Sequence, residues 1–178
     1  EDSKAVVFFV LDRSLSMEGK PLMLAKAFFM LNLMFLRNKY KEVALVMIAH
    51  DAQAYRIKEE KDFFGTKADA GTRAEPAWEM VWDVAQKEFP VSAWNRYMFQ
   101  SSDGMLFDSD GVARKWYQHF IEHDFNYLGY LEVVAEAFGV GDPKAWKELG
   151  RELLKLDAKI SRIGRCRLLR LSACNQKS

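Results

Sequence analysis

The fold is decided by the stretch Ala5-Val6-Val7-Phe8-Phe9-Val10-Leu11-Asp12-Arg13-Ser14-Leu15-Ser16-Met17. Its first seven residues are all apolar and rich in Val and Phe, which is typical of a strand buried on both faces of a parallel sheet. The apolar run ends at Asp12, and Ser14 and Ser16 follow at alternate positions. The sequence therefore predicts a carboxylate and two hydroxyl groups on a turn at the carboxyl end of this strand.

These oxygen donors are hard ligands, and they suit Mg²⁺, Mn²⁺ or Ca²⁺. Thiol and imidazole groups, which usually bind Zn²⁺, are absent from the stretch. A metal-free interpretation is also open at this point. In that case the serines cap the turn, and Asp12 accepts hydrogen bonds from nearby amides.

The pattern Asp-x-Ser-x-Ser after a hydrophobic strand resembles the metal-ion-dependent adhesion site of von Willebrand factor type A domains. In that family a Thr on a second loop and an Asp on a third loop complete the site. The chain offers Thr72 after a glycine-bearing loop, and Asp103 after the strand-like run 97–100. The resemblance implies that Ser14 and Ser16 bind Mg²⁺ (or Mn²⁺ or Ca²⁺) directly. It implies that three other residues share the remaining contacts, directly or through water: Asp12, Thr72 and Asp103.

With hydroxyls next to it, the cation stays electron-poor and prefers an anionic further ligand. The resemblance therefore implies a protein-binding domain that recruits an Asp or Glu side chain of a partner protein. We expect no catalytic residues and no organic cofactor. The competing class is a magnesium-dependent phosphatase of the haloacid-dehalogenase type, which also places an Asp after its first strand. That chemistry generally needs a second Asp two residues on, where this chain has Ser14.

Several local phrases resemble the bacterial YeaH/YhbH family of uncharacterised proteins. They include Ala25-Lys26-Ala27-Phe28-Phe29, Phe35-Leu36-Arg37, Ile48-Ala49-His50, Phe63-Phe64, Gly71-Thr72, Trp94-Asn95 and Ser102-Asp103-Gly104. This resemblance implies a cytoplasmic, stress-related accessory protein. Its possible partners are a serine protein kinase or a sporulation-protein-R-like protein. Arg13 and Leu15 replace the family's usual small residues. Two roles are open for Arg13: its guanidinium repels the cation, which we favour, or it pairs with the partner's carboxylate.

Length and composition limit the other possibilities. The chain has 178 residues, 49% of them hydrophobic, which suits one globular domain over residues 1–178. We expect this domain to be part of a longer protein.

A net charge of +1 gives no general attraction to nucleic acids or membranes. The basic stretch from Lys159 to Lys177 is interpreted as a solvated face. Two cysteines, Cys166 and Cys174, form no disulfide framework, so a reduced cytoplasmic location is expected.

Alternating strand and helix patterns predict a doubly wound α/β fold. We expect a mostly parallel sheet with one short antiparallel edge strand and helices on both faces. The first helix, Pro21 to Arg37, has almost no polar face, which predicts burial on all sides. The later predicted strands are Glu42 to His50, 52–57, Arg96 to Ser102, Asn126 to Val134 and Lys159 to Ile163. The later predicted helices are Glu75 to Phe89, Gly111 to His123, Asp142 to about Leu156, and a closing helix after Ile163.

Overall fold

The computed structural model describes residues 3–65, 71–105, 111–135 and 166–173. In these ranges the strands are β1 (Lys4–Asp12), β2 (Glu42–His50), β3 (Ala54–Ile57), β4 (Trp94–Ser102), β5 (Phe125–Ala135) and β6 (Cys166–Ala173). The helices are α1 (Lys20–Lys39), α2 (Glu60–Gly65), α3 (Glu75–Glu88) and α4 (Val112–Glu122). A short 3₁₀ turn, Leu15–Met17, lies between β1 and α1.

The strands form one sheet in the order β3-β2-β1-β4-β5-β6. All neighbouring pairs are parallel except β2 and β3, so β3 is the antiparallel edge strand. The predicted fold class is therefore confirmed. The chain order reverses between β1 and β4, and open α/β sheets bind ligands beyond the carboxyl ends of such strands. Asp12 ends β1 at this point, next to the carboxyl end of β4.

The apolar run of β1 packs against helices on both faces of the sheet. Val6, Phe8 and Val10 join a core that includes residues of α3 and α4. Val7, Phe9 and Leu11 join a core that includes α1, where the rings of Phe9 and Phe29 stack with centroids 4.5 Å apart. Burial on both faces explains why the run is continuously apolar instead of alternating.

A buried polar contact ties the helices of one face to the strand that leads into the site. The side-chain carbonyl of Gln100 in β4 accepts a hydrogen bond from the indole N–H of Trp78 in α3 at 2.8 Å. It also accepts one from the hydroxyl of Tyr117 in α4 at 2.8 Å. Since buried polar groups need partners, this contact fixes both helices relative to β4 just before its carboxyl end.

Helix α1 differs from the prediction of burial on all sides. Its buried stripe faces the sheet, while four large apolar side chains are 61–71% exposed: Met23, Leu31, Met34 and Phe35. A helix lying on one face of a sheet covers only one stripe of its own surface, and composition does not reveal how many neighbours it has. Within the ranges given above, no helix combines the length and apolar character needed to cross a membrane.

The end of the chain also differs from the prediction. Residues 166–173, expected in a closing helix, form β6, which pairs with β5 in parallel from Leu128↔Cys166 to Ala135↔Ala173. Leucines at 168, 169 and 171 fit either secondary structure, and the neighbouring strand decides between them. The predicted helix from Asp142 and the predicted strand Lys159 to Ile163 lie outside the described residues.

Candidate functional site

Asp12 is the centre of the candidate site and is fully buried. Its Oδ1 accepts the backbone N–H of Ser14 at 2.8 Å, which closes the turn after β1. Its Oδ2 accepts the hydroxyl of Ser102 at 2.7 Å. The N–H of Arg13 donates to the carbonyl of His50 at 2.8 Å and carries the β1–β2 pairing one residue further. Asp12 is therefore oriented by its own turn and by the end of β4.

The first and third loops meet through a short chain of oxygen atoms. The hydroxyls of Ser14 and Ser16 lie 3.0 Å apart. The hydroxyl of Ser16 donates to Oδ2 of Asp103 at 2.5 Å, and the Met105 N–H donates to Oδ1 of Asp103 at 2.9 Å. Four of the five predicted site residues, all except Thr72, are therefore linked by hydrogen bonds around the ends of β1 and β4.

Thr72 also lies at the candidate site, but its hydroxyl is farther from Asp12 than the other polar groups are. Its hydroxyl lies 3.5 Å from Oδ2 of Asp12 and 2.7 Å from the carbonyl oxygen of Met105. A hydroxyl has one hydrogen to donate, so the shorter contact, to Met105, is the hydrogen bond. The N–H of Arg73 donates to the carbonyl of Asp51 at 2.7 Å and fixes the backbone beside Thr72.

Gly71 is required where this second loop passes the β2–β3 turn. Its φ is +122°, and a Cβ atom added there would lie 2.9 Å from the Cβ of Ala52. Both the backbone conformation and the close approach favour glycine over any other residue. Gly71 thus lets Thr72 enter the site from the side of β2.

The donor set fits a hard divalent cation. Magnesium holds oxygens at about 2.0–2.1 Å in an octahedron, so adjacent donors lie about 2.8–3.0 Å apart. The separation of the Ser14 and Ser16 hydroxyls, 3.0 Å, matches that spacing. Asp12 is a buried carboxylate whose described hydrogen-bond donors are the neutral groups named above, and a buried charge is costly without a compensating charge.

Within the described ranges, no three His, Cys, Asp or Glu side chains group together in a way that would hold a metal ion. A cation at the Asp12 site therefore needs the serine and threonine hydroxyls, as in the predicted set. This dependence on hydroxyls is the feature that any test of the site must address.

The sequence interpretation did not assign a role to three polar residues near the carboxyl ends of β4 and β5: Ser102, Tyr130 and Glu132. Ser102 is paired with Glu132 across β4 and β5, and both Glu132 and Tyr130 are fully buried. Burial raises the pKa of Tyr130 well above its ordinary value, and the negative charges of Glu132 and nearby groups raise it further. The available signal was the consecutive polar run Gln100-Ser101-Ser102 at the end of β4 and the alternate polar residues Tyr130 and Glu132 in β5.

The three histidines lie in two different parts of the structure, with His50 paired opposite Asp12 in the sheet. His50 is buried at the end of β2, and the following Asp51 closes a turn by accepting the Gln53 N–H at 3.0 Å. His119 and His123 stack at the end of α4 with ring centroids 4.1 Å apart. Burial, and then the charge of His123, lowers the pKa of His119. That helix runs away from the carboxyl end of β4, so this pair is remote from Asp12.

Two of the residues flanking the site form an apolar rim. Leu15 is 63% exposed on the first loop and Met105 is 43% exposed on the third. The guanidinium carbon of Arg13 lies 5.8 Å from the ring centroid of Tyr55, on the edge strand β3. Leu15 therefore projects to the surface, while Arg13 extends towards the edge of the sheet.

Residues 1–161 match the sequence model of the family described as "Protein of unknown function (DUF444)". The chain belongs to this family. A UPF0229 protein of Thiobacillus denitrificans is 35% identical over 151 residues, which are 84% of this chain and 35% of that protein. A UPF0229 protein of Legionella pneumophila is 34% identical over 133 residues, which are 74% of this chain and 31% of that protein. The chain spans about a third of the length of these relatives.

Two solved structures show the fold to which this DUF444 chain is similar. The VWA domain of SpRpn10 superposes with a TM-score of 0.70 at 6% identity, covering 97% of this chain and 90% of that one. The protein BatB of Bacteroides thetaiotaomicron superposes with a TM-score of 0.58 at 16% identity, covering 96% and 92%. The resemblance to von Willebrand factor type A domains is therefore confirmed as a fold.

Proposed function

We propose that this domain binds a partner protein through a divalent cation, Mg²⁺ or Mn²⁺, held by residues of three loops. These residues are Asp12, Ser14, Ser16, Thr72 and Asp103. The observation that carries the proposal is the hydrogen-bonded chain from Ser14 through Ser16 to Asp103, beside the buried Asp12. Five hard oxygen donors from distant parts of the sequence meet at the one place where this type of sheet binds ligands.

This combination of carboxylate and hydroxyl ligands suits a cation that binds a partner protein better than a cation that is permanently buried. When bound, the cation would supply positive charge at the surface of the domain. Asp12 and Asp103 together would balance its formal charge, but the other three of its five protein ligands are neutral hydroxyls, so the cation would stay electron-poor and its octahedral shell would lack one ligand. A carboxylate of a partner protein, from Asp or Glu, is the anionic ligand that completes it.

The neighbouring groups hold these ligands before any cation arrives. The Ser102 hydroxyl and the Ser14 N–H fix the two oxygens of Asp12, and the Met105 N–H fixes Oδ1 of Asp103. Groups of this kind around a metal site orient the ligands, and their loss typically costs 10–100-fold in metal affinity. We assign Ser102 to this supporting role.

The wider setting belongs to the same proposal. By resemblance to the YeaH/YhbH family, the partner is a serine protein kinase or a sporulation-protein-R-like protein in the bacterial cytoplasm. We propose no catalytic activity for the domain itself. This distinguishes it from the phosphatase alternative, which needs an acid at the position of Ser14.

Calorimetric titration of Mg²⁺ and Mn²⁺ into the wild-type chain tests the proposal, with Asp103→Asn as the site variant. Asp83→Asn, an exposed carboxylate on α3 paired with Lys87, is the matched control. We expect binding to the wild type and to the control, and binding about 100-fold weaker or more to Asp103→Asn. Thermal unfolding should shift upward with the metal, since a ligand at a hundredfold excess over its Kd adds about 2.7 kcal/mol.

A phosphatase assay on the same samples separates the two classes. Magnesium-dependent turnover of p-nitrophenyl phosphate that Asp12→Ala abolishes would contradict the proposal. Equal metal binding by the wild type and Asp103→Asn would also contradict it.

A further inference from the structure

A recess of about 140 Å³ lies directly beside the candidate cation site. Its lining includes Asp12 and Ser14 together with the apolar residues Leu22, Phe63 and Phe64. Two residues therefore belong to both the site and the recess. A molecule bound through the cation at Asp12 and Ser14 reaches the recess without leaving the surface.

The size and lining of the recess fit one aromatic ring. An apolar protein cavity of about 150 Å³ accepts benzene, and this recess has nearly the same volume. The rings of Phe63 and Phe64 meet edge to face with centroids 4.8 Å apart, so Phe64 offers a ring to a further aromatic group. Aromatic pairs in such geometry gain about 0.5–1.5 kcal/mol beyond the burial of their area.

The charges around the recess favour an acidic segment. The ammonium nitrogen of Lys26 lies 5.1 Å from the centroid of the Phe64 ring, and Arg13 lines the recess. Glu18, an exposed carboxylate, lines it as well. With a divalent cation at Asp12, the positive charges of the cation, Arg13 and Lys26 outnumber the negative charges of Asp12, Asp103 and Glu18.

We infer that the partner segment carries an aromatic side chain next to the carboxylate that binds the cation, and that this ring occupies the recess. The inference rests on the proposed function, and it names the partner's chemistry: Asp or Glu beside Phe or Tyr. The exposed Leu15 and Met105 at the rim then contact the backbone on either side of that pair.

The experiment uses small probes that separate the carboxylate from the ring. Acetate carries the carboxylate alone, 3-phenylpropionate carries both groups, and 3-phenylpropanamide carries the ring without the charge. Their affinities for the 178-residue chain are measured by NMR titration in saturating Mg²⁺ and again in EDTA. We expect 3-phenylpropionate to bind at least tenfold more tightly than acetate or the amide, and only with Mg²⁺.

Two substitutions on α1 locate the ring. Leu22→Trp fills the recess and should reduce 3-phenylpropionate to the affinity of acetate, without changing acetate binding. Met34→Trp, on the exposed side of the same helix, is the matched control and should leave both affinities unchanged. Phe64→Ala, which removes the facing ring, should lower the preference for 3-phenylpropionate several-fold.

The outcomes separate the inference from the function on which it rests. Equal, magnesium-dependent binding of acetate and 3-phenylpropionate would overturn the aromatic partner and leave the proposed function standing. Binding of the amide as tight as that of the acid would show that the recess acts without the cation, which also overturns the inference. Absence of any magnesium-dependent carboxylate binding would overturn the proposed function and the inference together.

Discussion

The oxygen atoms on one side of the candidate site lie closer together than those on the other side. On one side Ser14, Ser16 and Asp103 form contacts of 3.0 and 2.5 Å. On the other side the Thr72 hydroxyl is 3.5 Å from Asp12 and donates to the Met105 carbonyl. The first and third loops leave adjacent parallel strands, whose pairing fixes their positions. Thr72 lies between Gly71 and Arg73, which contact the β2–β3 turn. We infer that the tight side is formed in advance, while Thr72 contributes through water or after a small shift.

The largest expected effect comes from Asp12→Ala. Removing this carboxylate leaves the buried Ser102 hydroxyl and the partly buried Ser14 N–H without their acceptor, at a cost of about 1–3 kcal/mol for a fully buried group and less for a partly buried one. We expect unfolding in urea to show a loss of about 2–4 kcal/mol in EDTA, together with loss of the magnesium response. Asp12→Asn is the control, since it keeps an acceptor oxygen and removes the buried charge. An Asp12→Ala variant as stable as the wild type would show that Asp12 does not hold the two loops together.

The second-largest expected effect comes from substitutions among Ser14, Ser16 and Asp103, the side of the site with the short contacts. Asp103→Asn should lower the magnesium affinity by about 100-fold or more, because a ligand contributes more than the 10–100-fold of a supporting residue. Circular dichroism should stay native, since Asp103 lies on a loop. Ser14→Ala should behave in the same way. Loss of the folded spectrum in both variants would instead assign these residues a structural role.

Thr72 should give a smaller effect. Thr72→Ala should weaken magnesium binding by about tenfold, within the range of residues that act through other groups. Thr72→Ser keeps the hydroxyl and should retain most of the affinity. If Thr72→Ala loses as much affinity as Asp103→Asn in calorimetry, Thr72 binds the cation directly and the contrast between the two sides is wrong.

The smallest effect concerns Arg13. Its guanidinium lies near Tyr55, so its repulsion of the cation is weakened by distance and solvent. We expect Arg13→Ala to tighten magnesium binding by about two- to threefold at low salt and less at 0.15 M, where charges are screened over about 8 Å. Arg13→Lys keeps the charge and serves as the control. Weaker binding by Arg13→Ala would show that Arg13 supports the site.

Much of this fold follows from the sequence, for identifiable reasons. The continuous apolar run before Asp12 and the short run Tyr97-Met98-Phe99 before the polar end of β4 predict two parallel strands, and the polar ends of neighbouring strands meet at one edge of the sheet. The same reasoning fails for α1, whose exposed Met34 and Phe35 look like core residues in the sequence. It also fails for residues 166–173, where pairing with β5 overrides local preference.

The candidate site could be predicted as a set of residues but not as a geometry. Asp12, Ser14 and Ser16 are close in sequence, so one turn brings them together. The distance of Thr72 from Asp12 depends on a loop anchored by Gly71 and Arg73, and no local pattern encodes it. The supporting role of Ser102 emerges only from its hydrogen bond to Asp12 across the ends of β1 and β4.

The most direct test of the central claim is a crystal structure of the chain grown with Mn²⁺, measured at a wavelength where manganese scatters anomalously. We expect one strong anomalous peak about 2.2 Å from the hydroxyl oxygens of Ser14 and Ser16, close to the slightly shorter distances found for magnesium. It should vanish in Asp103→Asn. A peak only at another location, such as His119 and His123, or no peak at millimolar Mn²⁺, would contradict the claim that these loops hold a cation.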